Sequence, residues 1–309
     1  MMKCSFYKML SLLIVHLSIS SLLFAQRTIP LYQGEIPNSI KGSVIDRTNS
    51  DSSVWHRIST PTLRIYLPPT TTSKRTAVII CAGGGYAGLN IKREGYNVAE
   101  AFNKEGIAAF VLKYRLPDDK TNKDKTIAPL QDAQQAIKIV RDSAEKWNID
   151  PGKIGIMGFS AGGHLASSAG THYNRITIPN AGKTSLRPDF MLLVYPVISF
   201  NNAIGHIGSR DNLIGKNPKA DSISFFSNEL HINKQTPPTY LVHSGDDKVV
   251  KVANSIKFYE ELNKNNVPAD LHIYSKGGHG FGAEPTFEEW FGRCLHWMKS
   301  NQWISNTNK

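Results

Sequence analysis

Cysteine is scarce in this chain, with three residues among 309. Cys4 falls in an N-terminal leader that we expect to be removed, which leaves Cys81 on a predicted strand and Cys294 on the last predicted helix. Two cysteines form no disulfide framework. The sequence is compatible with a single pair or with free thiols, and two small buried thiols are the favoured interpretation.

The chain also lacks any long apolar run beyond residue 25. The run at 9–24 follows Lys3 and Lys8, is interrupted by serines, and ends beside the small residue Ala25. This pattern is typical of a secretory signal peptide. We therefore expect 1–25 to be a signal peptide cleaved after Ala25, and the protein to be secreted or periplasmic without stable membrane insertion. A membrane anchor is the alternative, although the run is short for one.

No tract of one charge accompanies the net charge of +11, because the basic residues are scattered. A nucleic-acid partner is therefore not expected. Neither histidines nor carboxylates recur at metal-ligand spacing, so we predict no catalytic metal. The triplet Gly83-Gly84-Gly85 lacks the Lys and hydroxyl residues of a phosphate loop, and we predict no cofactor.

What the chain does have is enough apolar residues, 40%, for one large domain. Residues 26–60 are polar and are predicted to form an extended N-terminal arm, followed by a catalytic domain at 61–309. Apolar runs alternate there with helical patterns, which indicates a mostly parallel central sheet with helices on both faces. The predicted strands are 63–67, 77–81, 107–114, 153–159, 190–195, 240–243 and 271–274.

The segment 197–238 breaks this alternation with Gly, Asn, Ser and Pro, and it carries Phe225 and Phe226. It is predicted to be either a small cap insertion or a plain long loop. Loops of this length usually have a function.

A candidate nucleophile follows the apolar strand at 153–159. Gly158-Phe159-Ser160-Ala161-Gly162 is a Gly-x-Ser-x-Gly pentapeptide placed between a strand and a helix. The glycines permit a tight, strained turn that exposes the serine hydroxyl above the sheet. We therefore predict Ser160 as the nucleophile.

A serine hydroxyl needs a base to remove its proton and a carboxylate to orient that base. His279 lies in a glycine-rich loop just after the last predicted strand, and Asp247 lies just after the strand at 240–243. Asp246 competes for the second role, but Asp247 fits the Asp-x-Val-Val pattern better. The predicted triad is Ser160, Asp247 and His279, in the order Ser, Asp, His.

The negative charge that develops on the attacked carbonyl requires two backbone donors. Ala161, which follows the nucleophile, supplies one in our prediction, and Gly84 or Gly85 supplies the other. Tyr86 and Phe281 are predicted to line the substrate pocket or to pack in the core. His164, one turn after Ser160, is predicted to be a packed or hydrogen-bonded helix residue.

Four motifs together resemble bacterial α/β-hydrolases related to acetylxylan esterases. They are Cys-Ala-Gly-Gly-Gly-Tyr at 81–86, Leu-Lys-Tyr-Arg-Leu-Pro at 112–117, Gly-Phe-Ser-Ala-Gly-Gly-His-Leu-Ala at 158–166 and Lys-Gly-Gly-His-Gly-Phe-Gly at 276–282. The resemblance implies the α/β-hydrolase fold and a carbohydrate O-acetylesterase acting on acetylated plant polysaccharide or oligosaccharide. Cys81-Ala82 replaces the His-Gly of many such loops, and Lys251 stands where Pro is common.

Three other functions compete with this expectation. A feruloyl or other short-chain esterase would use the same residues. A prolyl-oligopeptidase-like peptidase would need an added propeller domain, for which the chain has no room. An inactive carbohydrate-binding relative would not need the complete triad.

Overall fold

A central sheet organises this computed structural model, which describes residues 26–43, 45–69 and 73–305. The predicted signal peptide, 1–25, lies outside the described residues. The strands are β1 Arg27–Pro30, β2 Arg47–Thr48, β3 Trp55–His56, β4 Thr62–Tyr66, β5 Arg75–Cys81, β6 Gly88–Leu89, β7 Ala108–Lys113, β8 Ile149–Phe159, β9 Met191–Val194, β10 Thr239–Ser244 and β11 Ala269–Tyr274.

Helices connect most of these strands. They are α1 Asn97–Lys104, α2 Ala128–Asp142, α3 Ala161–Thr171, α4 Ile207–Ile214, α5 Ala220–Phe225, α6 Ala253–Lys264 and α7 Phe287–Ser300, with a π-helical turn at Lys92–Tyr96 and a 3-10 turn at Asn228–His231. No helix in the described ranges has both the length and the apolar character needed to cross a bilayer.

Within the described ranges, eight strands form the main sheet in the order β1-β4-β7-β5-β8-β9-β10-β11. The pairs β1–β4 and β4–β7 are antiparallel, and the remaining pairs are parallel. Strands β5, β9 and β10 are buried at every position, because helices cover both faces of a parallel sheet. The predicted mostly parallel α/β sheet is confirmed.

The arm predicted at 26–60 is more closely integrated than its polar sequence indicates. β1 adds an antiparallel edge strand to the main sheet, and β2 and β3 pair with β6 in a second, three-stranded sheet. Leu31 and Ile58 are buried in the core. These short segments are stabilised by pairing with strands that lie farther along the chain. A local sequence pattern does not indicate such pairing.

Segment 197–238 is folded rather than extended. It contains α4, α5 and the 3-10 turn, and the buried Asn228 anchors it by donating through Nδ2 to the His164 carbonyl at 3.1 Å and to Ser167 Oγ at 2.7 Å. The segment therefore packs on α3, the helix that follows Ser160.

Cys81 and Cys294 are both buried, and neither forms a disulfide in the described part of the chain. Burial raises the pKa of each thiol, which keeps both protonated and unreactive. Among the same residues, no three His, Cys, Asp or Glu side chains are grouped as metal ligands.

A buried ion pair joins the arm to the domain. Arg115, at 0% exposure, donates through Nε and Nη2 to both carboxylate oxygens of Asp132, which is also fully buried, with Nη2–Oδ1 at 2.7 Å. From the arm, Tyr32 donates its hydroxyl to Asp132 at 2.9 Å, and the Pro37 carbonyl accepts from Arg115 Nη1 at 2.8 Å. Removing either charge would leave the other buried without its opposite charge.

We expect Asp132→Ala to lower the free energy of unfolding by about 3–5 kcal/mol, because it strands the Arg115 guanidinium in the interior. Asp119→Ala is the matched control. It breaks an ion pair with Lys125 in which the Asp119 side chain is 76% exposed, and it should cost less than about 1 kcal/mol. Urea denaturation of both variants measures the difference, and equal losses would contradict the role of the buried pair.

Candidate active site

Ser160 stands between the end of β8 and the start of α3, with backbone angles φ 51° and ψ −119°. This strained conformation is that of a nucleophile elbow. The turn brings Gly162 against β5: a Cβ on Gly162 would lie 2.1 Å from the Cys81 carbonyl oxygen. Only glycine fits there, which explains the second glycine of the pentapeptide.

The structure brings Ser160, His279 and Asp247 together in a hydrogen-bonded chain. Ser160 Oγ lies 2.9 Å from His279 Nε2, and His279 Nδ1 lies 2.7 Å from Asp247 Oδ2. A carboxylate only accepts, so Nδ1 carries the proton and Nε2 is free to accept from the serine hydroxyl. The arrangement can activate Ser160 as a nucleophile.

Asp247 is held as an anion in a buried position. Burial by itself would raise the pKa of this carboxyl, but hydrogen bonds from His243 and His279 and from the Val250 N–H outweigh it and hold the pKa well below its usual range. The N–H groups of Val249 and Val250 both donate to Oδ1 at 2.9 Å. The carboxylate is thus ready to stabilise a protonated His279.

His243 is a positioning residue that the sequence did not reveal. Its Nε2 donates to Asp247 Oδ2 at 3.1 Å and to the Val250 carbonyl at 3.0 Å, while Nδ1 accepts from the Ser255 hydroxyl at 2.8 Å. The available signal was a histidine next to the apolar run 240–242 of β10, where His243 is fully buried.

Asp246, the competitor for the carboxylate role, accepts from the Gly278 N–H at 2.8 Å. It therefore supports the loop that carries His279 and does not contact the imidazole. The adjacent acidic residues have separate tasks, and the geometry favours Asp247 for the triad.

The proposed oxyanion donors come from two segments that adjoin Ser160. Gly84 and Gly85 lie in the loop after β5, and Ala161 is the first residue of α3. In the part of the chain that the structure describes, none of the three N–H groups donates to another protein group. Gly84 has φ 141°, and a Cβ there would lie 2.2 Å from the Gly88 carbonyl oxygen. The loop conformation therefore requires glycine.

Comparison with known proteins identifies the family of this chain. The family model BD-FAE matches residues 63–262, about two thirds of the chain. The chain belongs to the BD-FAE family. A solved structure, an acetyl ester-xyloside bifunctional hydrolase from Caldicellulosiruptor lactoaceticus, shares 36% identity at a TM-score of 0.79 and covers 93% of this chain and 100% of that one. The expected α/β-hydrolase fold is confirmed.

Two further relatives of this BD-FAE chain are longer proteins. An acetylxylan esterase of Xylanibacter ruminicola is 39% identical over 230 residues, which are 73% of this chain and 44% of that protein. The endo-1,4-beta-xylanase B of Butyrivibrio fibrisolvens is 34% identical over 223 residues, 71% of this chain and 35% of that protein. The chain thus spans less than half the length of both.

Tyr86 and Phe281, predicted to line the pocket or the core, lie mainly in the core of this BD-FAE domain. They are 2% and 4% exposed, and both have positive φ angles, of 60° and 50°. Phe281 borders a cavity of about 140 Å³ behind the His279 loop. Both residues offer a substrate little surface, and we assign them a supporting role.

His164 is a buried, hydrogen-bonded residue of α3, as the sequence predicted. Its Nδ1 accepts from the Tyr86 hydroxyl and its Nε2 donates to the Phe226 carbonyl, each at 2.8 Å. Burial lowers the pKa of His164 to about 4, although the bond to Phe226 opposes the shift. The residue is therefore a neutral link between the oxyanion loop and segment 197–238.

This neutral histidine should make stability depend on pH. Between the usual pKa of 6.5 and about 4, the unfolded chain binds a proton at His164 that the folded protein excludes, so stability falls as pH drops. From pH 7.5 to 4.5 this site should contribute a loss of roughly 2–3 kcal/mol. His164→Gln removes it, and denaturant unfolding at both pH values should show a smaller loss in the variant. Equal losses in the two proteins would contradict the assignment.

Proposed function

We propose that this protein is a serine carboxylic-ester hydrolase that removes acetyl groups from plant cell-wall polysaccharide or oligosaccharide. The observation that carries the proposal is the hydrogen-bonded chain Ser160–His279–Asp247 beside unengaged backbone N–H groups. The names of two relatives, an acetylxylan esterase and an acetyl ester-xyloside hydrolase, support the acetyl group and the xylan-type substrate.

The proposed reaction proceeds through an acyl-enzyme. Ser160 Oγ attacks the acetyl carbonyl while its proton passes to His279 Nε2, and Asp247 stabilises the resulting imidazolium. The N–H groups of Ala161 and of Gly84 or Gly85 hold the oxyanion. The sugar oxygen then leaves with the proton from His279. Water repeats the attack, its proton passes to His279, and acetate is released as Ser160 Oγ is reprotonated.

Export fits this substrate, since a polysaccharide is met outside the cytoplasm. We therefore propose a secreted or periplasmic location with cleavage after Ala25, on the basis of the pattern in residues 1–25. The N-terminal sequence of protein recovered from the periplasm or medium would begin at Gln26, and retention of the leader on a membrane-bound protein would favour the anchor instead.

The first test is acetate release from acetylated xylo-oligosaccharides by the mature protein and by Ser160→Ala. We expect release by the wild type and a loss of about 10³-fold or more in the variant, because the nucleophile is absent. Ser160-dependent cleavage of an aryl acetate without release from xylo-oligosaccharides would keep the esterase and reject the xylan substrate. Failure of a fluorophosphonate probe to label the wild type would instead favour the inactive carbohydrate-binding relative.

The second test separates the two acidic residues. Asp247→Asn should lower kcat for aryl acetate hydrolysis by about 10³–10⁴-fold, because the amide can force the wrong tautomer on His279. Asp246→Asn should cost less than about 10-fold, because its amide oxygen still accepts from the Gly278 N–H. Steady-state kinetics measure both, and the reverse order of effects would assign the triad carboxylate to Asp246.

A further inference from the structure

A second carboxylate, Glu94, is buried beside the catalytic loops and takes no part in the triad. It is 6% exposed. Its Oε2 accepts from the Gly83 N–H at 2.7 Å, and its Oε1 accepts from the Tyr195 hydroxyl at 3.0 Å. Burial raises the pKa of this carboxyl, and the two hydrogen bonds oppose the shift. Placing such a group in the interior is costly, so its contacts merit a functional explanation.

The first contact controls the loop that carries the proposed oxyanion donors. Gly83 immediately precedes Gly84 and Gly85, and Glu94 fixes the Gly83 peptide N–H. Gly83 also packs directly on the nucleophile turn: a Cβ there would lie 2.9 Å from Ser160 Cβ and 2.7 Å from the Phe159 carbonyl oxygen. The position of this one peptide therefore sets the distance between the loop and the serine.

The second contact reaches the histidine. The Tyr195 ring, held through its hydroxyl by Glu94, lies edge-on to the His279 ring with centroids 5.1 Å apart. Arg93, next to Glu94 in the π-helical turn, donates to the carbonyls of Gly280 and Phe281, with the latter at 2.9 Å. One short turn thus contacts both catalytic loops, and π-helical turns are frequent at functional sites.

We propose that Glu94 is a positioning residue that holds the N–H groups of Gly84 and Gly85 in register with Ser160. This inference rests on the proposed esterase function. Glu94 touches neither the substrate nor the reacting atoms, and it acts through Gly83 and Tyr195.

The hydrogen bonds dictate which substitutions should preserve this role. In Glu94→Gln, the amide oxygen can accept from the Gly83 N–H and the amide nitrogen can donate to the Tyr195 oxygen. Glu94→Ala provides no acceptor, and Glu94→Asp is one methylene too short to reach both partners. Glu105→Ala, which removes an exposed carboxylate beyond the end of α1, is the matched control.

The experiment measures kcat and KM for an aryl acetate, with kcat divided by the fraction of protein that a fluorophosphonate labels at completion. We expect Glu94→Ala to lower kcat by about 10²-fold, comparable to the loss of one oxyanion donor, with KM within about 3-fold of the wild type. Glu94→Gln should remain within about 5-fold, and Glu105→Ala should match the wild type.

A trifluoromethyl ketone inhibitor supplies a readout that general destabilisation would not change. Its adduct with Ser160 places an oxyanion against the same N–H groups, so its Ki should rise in Glu94→Ala by about the factor by which kcat falls. If Glu94→Ala does not fold, Glu94→Asp takes its place with an expected loss of at least about 10-fold. The positioning role of Glu94 would be overturned if the variant kept the wild-type kcat per labelled site. It would also be overturned if kcat fell while the Ki of the inhibitor did not change. A wild type that neither cleaves aryl acetates nor is labelled would overturn the esterase function itself.

Discussion

The strained backbone of Ser160 is the constraint on which the remaining site geometry depends. A residue at φ 51° between a strand and a helix costs about 1–3 kcal/mol and persists only where its surroundings hold it. Here the Ser160 N–H donates to the Val194 carbonyl at 3.1 Å, and the Ser160 carbonyl accepts from the N–H groups of Gly163 and Val197, each at 2.9 Å. Strand β9 and its following loop thus fix the turn, and the hydroxyl stands at a defined point above the sheet.

Two buried carboxylates, Asp247 and Glu94, support the site around Ser160 in different ways. Asp247 receives hydrogen bonds from two imidazoles and two backbone N–H groups, so the folded protein favours its anion despite burial. Among the described residues, Glu94 receives two hydrogen bonds, and burial has the larger effect on its pKa. The first arrangement suits a group that must balance a positive charge on His279. The arrangement around Glu94 suits a group that acts by accepting two hydrogen bonds in a fixed geometry.

The sequence predicted those parts of the molecule that local chemistry encodes. Ser160 and its glycines occupy a pattern imposed by one tight turn, and the buried strands are apolar along their length. His243 and Glu94 were missed because their roles arise from contacts across the fold: Glu94 reaches Tyr195, a hundred and one residues away. The pairing of β1 with β4 likewise depends on a distant edge strand rather than on the composition of the arm.

Side chains hold the two catalytic loops, the oxyanion loop and the His279 loop, mainly through backbone groups. Glu94 accepts from the Gly83 N–H, Asp246 accepts from the Gly278 N–H, and Asn212 of α4 donates to the Gly85 carbonyl at 2.8 Å. Glycine loops held in this way present N–H groups and little side-chain surface to a substrate. Under the proposed esterase function, backbone N–H groups of this kind would bind the carbonyl that all carboxylic esters share, and by themselves they do not distinguish one acyl group or sugar from another. Selectivity then falls to neighbouring side chains. Segment 197–238 contacts the oxyanion loop through Asn212 and is therefore one element that borders it.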